Sequence, residues 1–511
     1  MVWLVLGPRA QRFHMPAEAF GLDGESQARG VIVASGSPEA TTTKDDGISS
    51  LSRGQTVFMV AALALSVMSF MLNATMLGPA IRDINTHLGP HAYASMSAYF
   101  YLAGAIANVV LIRWSDFIGR KRVLVGILFL VCIGTLLCIL GTSLPVVMVG
   151  RVLQGCANIT YGLAFLIMRE HLSGPTFGVC CGVISAINAG VAGVDALLAG
   201  FMVDHFGYRS IFVLTLVVGI VAAALCWLAV PADERARTSS GRMDWGGAVL
   251  IALTVAGLDL YVSNGDHMGW VSPLMLVCIA TAIAAGVGLV MVEKRMATPL
   301  IHIDQMGTRY AWPLIAVTIL VFGSFMVVLS YIIPSIAEND RIGFAASGQL
   351  TALLFITPGA LAQLVVAPPI GRLAAKIGFV TVLRAGLVAA VAVTALLAVF
   401  ALDKVVVIVL MAVFGVSLAV ALTPMSALGV LQAPEDEPGS LPGISNASYG
   451  IGGSLGFAWA GMVVAEGTQA SYHSALWICV GIGVVAVMAS LVLKPRPAAS
   501  PANHPVASGS M

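Results

Sequence analysis

The feature that most constrains this chain is the recurrence of long apolar stretches that carry no charge. No Asp, Glu, Lys or Arg occurs in 54–81, 84–112, 123–150, 210–232, 267–292, 310–337, 342–371, 405–434, 438–465 or 467–493, and 385–402 is a shorter clean run. Three more runs hold or abut one charge: 152–168 beside Arg151, 171–203 around Asp195, and 245–265 around Asp259. A helix needs about 20 consecutive apolar residues to cross a bilayer, so each run is a candidate span, fourteen in all. Transmembrane β-strands need segments of about 10 residues with alternating polarity, and these runs are too long and too uniform for that.

Composition agrees. Of 511 residues 58% are hydrophobic and 10% charged, against about 25% charged in a soluble domain; mean hydropathy is +0.94. Lys and Arg total 26 against 25 Asp and Glu, a net charge of +1 with no basic field for nucleic acid. The chain reads as an all-α, multi-pass membrane protein with a lipid bilayer as its solvent. The 54 glycines fit closely approaching membrane helices, with Ala186 and Gly190, Ala196 and Gly200, and Gly452 and Gly456 as small-residue pairs one turn apart. All eight cysteines lie in apolar runs without metal-ligand spacing and read as buried thiols.

Residues 1–52 are polar and read as a disordered cytoplasmic tail, with Met15 an alternative start; the apolar opening Val2 to Leu6 is too short for a signal peptide. With the N-terminus in the cytoplasm, the loops after even-numbered spans and the C-terminal flank hold sixteen Lys and Arg, and the opposite side holds four: Arg82, Arg209, Arg341 and Lys404. That asymmetry predicts both termini inside a bacterial inner membrane. Five further cations lie in the N-terminal segment, which leaves Arg151 alone among the 26 within the membrane.

A repeat is legible in one loop. Ile112-Arg-Trp-Ser-Asp116-Phe-Ile-Gly119-Arg-Lys-Arg122 follows span 2, and Gly371-Arg372-Leu-Ala-Ala-Lys-Ile-Gly378 follows span 10. Eight spans separate them, which predicts a bundle of six helices (53–232), a linker with two additional spans (233–308), a second bundle of six (309–497) and a short cytoplasmic tail (498–511).

These residues resemble the major facilitator superfamily, and within it the fourteen-span drug:proton antiporters. Asp116, Gly119, Arg120 and Lys121 match the charged part of the family loop G-x-L-A-D-R-x-G-R-K, and Arg151-Val-Leu-Gln154-Gly155 fits its R-x-x-x-G with the preceding Gln. Val203-Asp-His-Phe-Gly207-Tyr-Arg209-Ser-Ile-Phe212 is similar to D-H-x-G-W-R-x-x-F, and Glu293-Lys-Arg through Pro299-Leu-Ile to the loop before the second half. Two departures stand out. The family's span 1 carries L-D-x-T, where this chain has Leu72-Asn73-Ala74-Thr75, and its G-P-x-x-G-G is replaced by Asp195-Ala-Leu-Leu-Ala199-Gly200.

Residue counting puts Asn73, Arg151 and Asp195 at nearly one level, roughly 10 Å from one membrane face at 1.5 Å per residue. A buried charge there is costly, so Asp195 and Arg151 are expected to face the interior and pair. Asp195 then replaces the missing span 1 carboxylate as the proton site, with Arg151 as counter-ion and Asn73 and Gln154 beside them. A permanent structural ion pair is the alternative. The resemblance implies a conformational gate at Asp116, Gly119, Arg120 and Lys121, with Gly371 and Arg372 at the matching place in the second half. Asp259 near its span end, and Glu170 and Asp204 at span boundaries, read as interfacial or solvated. Phe70, Tyr99, Phe100, Tyr101, Tyr161, Phe325, Tyr331 and Trp459 are candidates for lining a cavity.

No hydrolytic, metal or phosphate-loop constellation emerges, so neither an enzyme nor a cofactor is expected. The expectation is a monomeric, proton-coupled secondary transporter exporting a small amphipathic or cationic molecule. Uptake by proton symport and a non-transporting sensor are the alternatives.

Overall fold

The computed structural model describes residues 52–172, 174–232, 243–296, 306–432 and 440–494. The expected tails and the Met15 start lie outside them. The first bundle comprises α1 (Arg53–Thr75), a 3-10 turn (Gly78–Ala80), α2 (Ile81–Leu88), α3 (Ala92–Ile118), α4 (Arg120–Leu140), α5 (Leu144–Gly155), a second 3-10 turn (Cys156–Asn158), α6 (Ile159–His171), α7 (Gly174–Phe206) and α8 (Arg209–Ala229). Next come α9 (Trp245–Met268) and α10 (Pro273–Glu293). The second bundle holds α11 (Trp312–Val327), a π-helical turn (Val328–Ile332), α12 (Ile333–Glu338), α13 (Gly348–Thr351), a second π turn (Ala352–Ile356), α14 (Thr357–Ile377), α15 (Phe379–Val399), α16 (Lys404–Leu431), α17 (Ser440–Val464) and α18 (Gln469–Val492).

Eleven of these helices, taken with the short segments continuous with them, are long and apolar enough to cross a membrane among the described residues. The helical stretches 144–171, 174–206 and 440–464 fall on the three remaining apolar runs. Chain chemistry sets the helix ends. Ser52 and Gln55 form a capping box on α1, Thr468 and Ser471 another on α18, and proline occupies the first turn of α5, α10, α11, α12 and α14.

The loop repeat is structural as well as sequential. Gly119 and Gly378 adopt φ of 104° and 101°. Each ends one helix and starts the next, its N–H donating to Ser115 and Ala374 carbonyls respectively. A side chain resists that left-handed conformation, which is why both copies keep glycine.

Small residues let the helices touch. A Cβ on Gly150 would sit 2.5 Å from the Gly134 carbonyl, and one on Gly415 2.0 Å from that of Gly359. Of the three predicted small-residue pairs, Gly452 and Gly456 pack on Ile319 and Gly323, and Gly200 packs on Gly348; Ala186 and Gly190 lie outside the described side chains. All eight cysteines are free thiols. The bundles meet along two seams, α3 against α17 and α7 against α13 and α14, and α9 lies against both α3 and α17. α10 packs on α9 and exposes Leu274, Val277, Ile283 and Met291, an apolar face of the kind lipid covers.

Candidate functional site

The end of α1 organises the buried polar residues. Arg151, 1% exposed, donates from Nη1 to the Asn73 carbonyl at 3.0 Å and to Gln154 Oε1 at 2.7 Å, and from Nε to the Met96 carbonyl at 3.4 Å. Its guanidinium lies 4.2 Å from the Phe100 ring centroid, and Gln154 Nε2 passes the chain on to Thr135 Oγ1 at 2.9 Å. A planar fork of five donors is suited to serving carbonyls from several helices while stacking on an aromatic face.

Two residues further along α1, the Thr75 hydroxyl bonds Asp195 Oδ2 and also reaches the Met71 carbonyl at 2.7 Å. Asp195 is 4% exposed and its Oδ1 has no hydrogen-bond partner among the described residues. Arg151 is therefore not its counter-ion: neither residue takes part in an ion pair among the described residues. The reason is geometric. The Arg151 donors are taken up by the Asn73 carbonyl of α1, the Met96 carbonyl of α3 and the Gln154 side chain. Asn73 is also not bonded to Asp195, since its Nδ2 donates to the Ser69 carbonyl at 2.8 Å. The four expected residues are buried, but their bonds differ from those expected, and Thr75 and Thr135 join them. The L-D-x-T correspondence held the signal for Thr75.

Arg151→Lys tests this reading of the arginine. An ammonium cannot reach Asn73, Met96 and Gln154 together, and charged hydrogen bonds contribute about 1.5–3 kcal/mol each. Loss of two should destabilise the bundle by roughly 3–6 kcal/mol, visible as a lower melting temperature in detergent. An unchanged melting temperature contradicts it.

The bonds that cross between bundles gather at the end carrying Arg82 and Asp204. The two Asp204 carboxylate oxygens accept from Gly348 and Gln349 N–H at 2.9 and 3.0 Å, capping α13 of the opposite bundle. Arg82 donates its backbone N–H to Glu338 Oε2 at 2.8 Å and its guanidinium to Asp340 at 3.0 Å. Tyr93 donates to the Ser330 carbonyl at 2.7 Å, an acceptor inside the first π turn, where the ordinary helical bonding pattern shifts. Asp204 is thus a cap between bundles and not a solvated boundary residue. A plug of rings lies beneath: Tyr93, Tyr331 and Phe457, then Tyr101 stacked on Phe457 at 5.6 Å and edge-on to Tyr449 at 5.6 Å. Phe70, Phe100, Tyr101 and Tyr331 were candidates; Tyr93, Tyr449 and Phe457 were not, because only the α3–α17 and α11–α17 packing unites them.

At the other end the ion pairs stay inside the first bundle. Asp116 pairs with Arg113 at 3.4 Å and with Arg120 at 3.3 Å, and Arg120 reaches Glu170 at 2.7 Å and the Leu166 carbonyl at 3.1 Å. Glu170 therefore closes a charge triad between α3, α4 and α6 and is not merely solvated. Lys121 lies 5.9 Å from the Trp227 ring. Gly371 and Arg372 take the matching position on α14, and Arg372 has no ion-pair partner among the described residues. Asp259, expected at the interface, is instead fully buried and accepts from Ser454 of α17. Counting from a span end gives depth, not the face of the helix.

The Major Facilitator Superfamily model matches residues 63–457, with a second match over 314–509. The chain belongs to the Major Facilitator Superfamily. It is 33% identical over 345 residues to a uridine/deoxyuridine transporter of Lactococcus lactis subsp. cremoris, a match covering 65% of this chain and 71% of that protein. It is 26% identical to the multidrug resistance protein Stp of Mycobacterium tuberculosis over 66% of this chain and 62% of that one. Among solved structures, the nucleoside transporter NupG superposes with a TM-score of 0.57 at 16% identity, covering 85% of this chain and all (100%) of NupG. An auto-inhibited peptide transporter of the POT family gives 0.58 at 17% identity, over 86% and 95%. Both share the fold.

Proposed function

We propose that this chain is a proton-coupled secondary transporter that moves a small organic solute by alternating access, with Asp195 as its proton-carrying group. The observation that carries the reading is the Asp195 carboxyl: buried, with one oxygen on Thr75 and, among the described residues, no cation beside it and no hydrogen bond to the other oxygen. A charge at mid-membrane costs about 2.5–3.5 kcal/mol on insertion scales, so neutralisation by a proton or a bound cation is the chemistry open to it. Thr75 adds a reading device. Its single proton serves one acceptor at a time. With Asp195 protonated, the carboxyl donates to Thr75 and Thr75 donates to the Met71 carbonyl; with Asp195 ionised, Thr75 turns to the carboxylate and releases Met71. Proton loading is thereby felt at the end of α1, where Arg151 also grips.

The positive-inside count supports an even number of spans with the Arg120 end and both termini in the cytoplasm. The arrangement bonded at the Arg82 end is then the cytoplasm-facing state. Rocking the bundles breaks the Asp204 caps and the Tyr93 bond and carries the Asp116 and Arg120 loop toward the second bundle. Asp116→Ala should slow transport at least several-fold while leaving folding intact; an unaltered turnover removes the gate.

The sequence favours export of an amphipathic or cationic molecule, for which Asp195 supplies a competing anion. A second reading, uptake of a nucleoside by proton symport, is favoured by the 33% identity to a uridine/deoxyuridine transporter. Proteoliposomes separate them. An acidic lumen should drive accumulation of a labelled organic cation under exchange, and an acidic exterior accumulation of labelled uridine under symport.

A further inference from the structure

The additional helix pair places a second acid in the molecule. We propose that Asp259, with Ser454 of α17 and Tyr99 of α3 around it, is a second proton-binding site on the α3–α17 seam. This goes beyond the role given to Asp195 and does not depend on it.

Asp259 lies nine residues, about 14 Å of helix, from the Met268 end of α9, well inside the span. It is 0% exposed, Oδ1 accepts from the Ser454 hydroxyl, and Oδ2 accepts no hydrogen bond among the described residues, with the Ser263 hydroxyl one turn along α9 close by. The elements packed on α9 bring it no cation among the described residues. From α3 the titratable group within electrostatic reach is Tyr99. α10 lies against this stretch of α9 with the Cys278 carbonyl beside Gly257. α17 contributes Ser454 and, more than a turn away, Tyr449, whose ring is engaged with Tyr101 and Phe322.

A purely structural role is poorly served by such a group. A neutral side chain fills the space without the penalty of an unpaired carboxylate in hydrocarbon, and the unpartnered oxygen satisfies no bond. A protonated carboxyl is neutral, keeps the Ser454 bond, and has a donor to offer. The position adds the mechanism. α3 belongs to the first bundle and α17 to the second, and α9 touches both. A carboxyl held by α9 and bonded to α17 gains or loses its hydroxyl donor when the bundles move. Its proton affinity is thereby tied to the conformational state.

Infrared difference spectroscopy of the full-length protein in lipid, between acidic and alkaline buffer, reads carboxyl protonation without needing transport. Asp259→Asn should remove one protonated-carboxyl band, Ser454→Ala should shift that band, and Asp195→Asn should leave it in place. A difference spectrum of Asp259→Asn identical to wild type overturns the proposal. If that variant does not fold, Ser454→Ala decides: a shifted band supports the site and an unmoved spectrum overturns it. Failure of every transport assay leaves this readout untouched, so loss of the Asp195 reading and loss of this one are distinguishable.

Discussion

Asp195→Asn should collapse gradient-driven accumulation to equilibrium while sparing downhill exchange. One proton moving through 100 mV is worth about 2.3 kcal/mol, which supports a concentration ratio on the order of 50-fold. In the variant the amide is permanently neutral, Thr75 can keep Met71, and nothing is left to load or release at this position. The expected ratio in proteoliposomes is near unity under any imposed pH gradient, with exchange of labelled for unlabelled solute retained and insensitive to pH. A variant that still concentrates solute with the wild-type pH dependence contradicts the assignment. Because the carboxyl is buried beside an unpartnered atom and holds no arginine, exchange for the isosteric amide leaves no orphaned cation, and the fold should survive.

Gly200→Ala should be nearly as damaging by a different route. A Cβ there would lie 2.6 Å from the Gly348 carbonyl and 2.7 Å from Gln349 Cα, both backbone atoms that cannot swing aside. Gly348 is equally tight, its Cβ position falling 2.6 Å from the Pro79 carbonyl. A methyl group forces α7 and α13 apart, and Asp204 can no longer reach the Gly348 and Gln349 N–H groups. The equilibrium should move away from the arrangement bonded at the Arg82 end, with turnover down roughly 100-fold, a shift near 3 kcal/mol. Spin labels on α7 and α13 should report a longer distance in the variant. Wild-type distances and turnover together dismiss the seam as a moving contact.

The helices were legible because a bilayer leaves so few options: every backbone group must be satisfied within its segment, and only about 20 apolar residues in a row allow that. The repeat was legible at Gly119 and Gly378 because a left-handed turn between helices admits little but glycine. The candidate site was legible only in the burial of Arg151 and Asp195, since a charge inside an apolar run must turn inward. Its bonds were not. Arg151 bonds to carbonyls of Asn73 and Met96, and a backbone acceptor leaves no trace in the residue names. The Asp204 caps and the Arg82 bond to Glu338 join residues 144 to 256 positions apart, so they exist only once the bundles are assembled. Asp259 was misjudged for a related reason: counting from the charge-free run put it near a span end, whereas α9 runs on to Met268, and its direction followed from α9 lying against α17.

The central claim is that solute movement and proton movement are one process. The most direct measurement follows labelled uridine and a labelled organic cation in proteoliposomes under imposed pH gradients of both signs, with lumenal pH recorded in the same vesicles. Uphill movement of one solute in one gradient direction, accompanied by dissipation of that gradient and lost with a protonophore, is the predicted result. Solute movement that leaves the pH gradient untouched, or no movement of any solute under either sign, contradicts it.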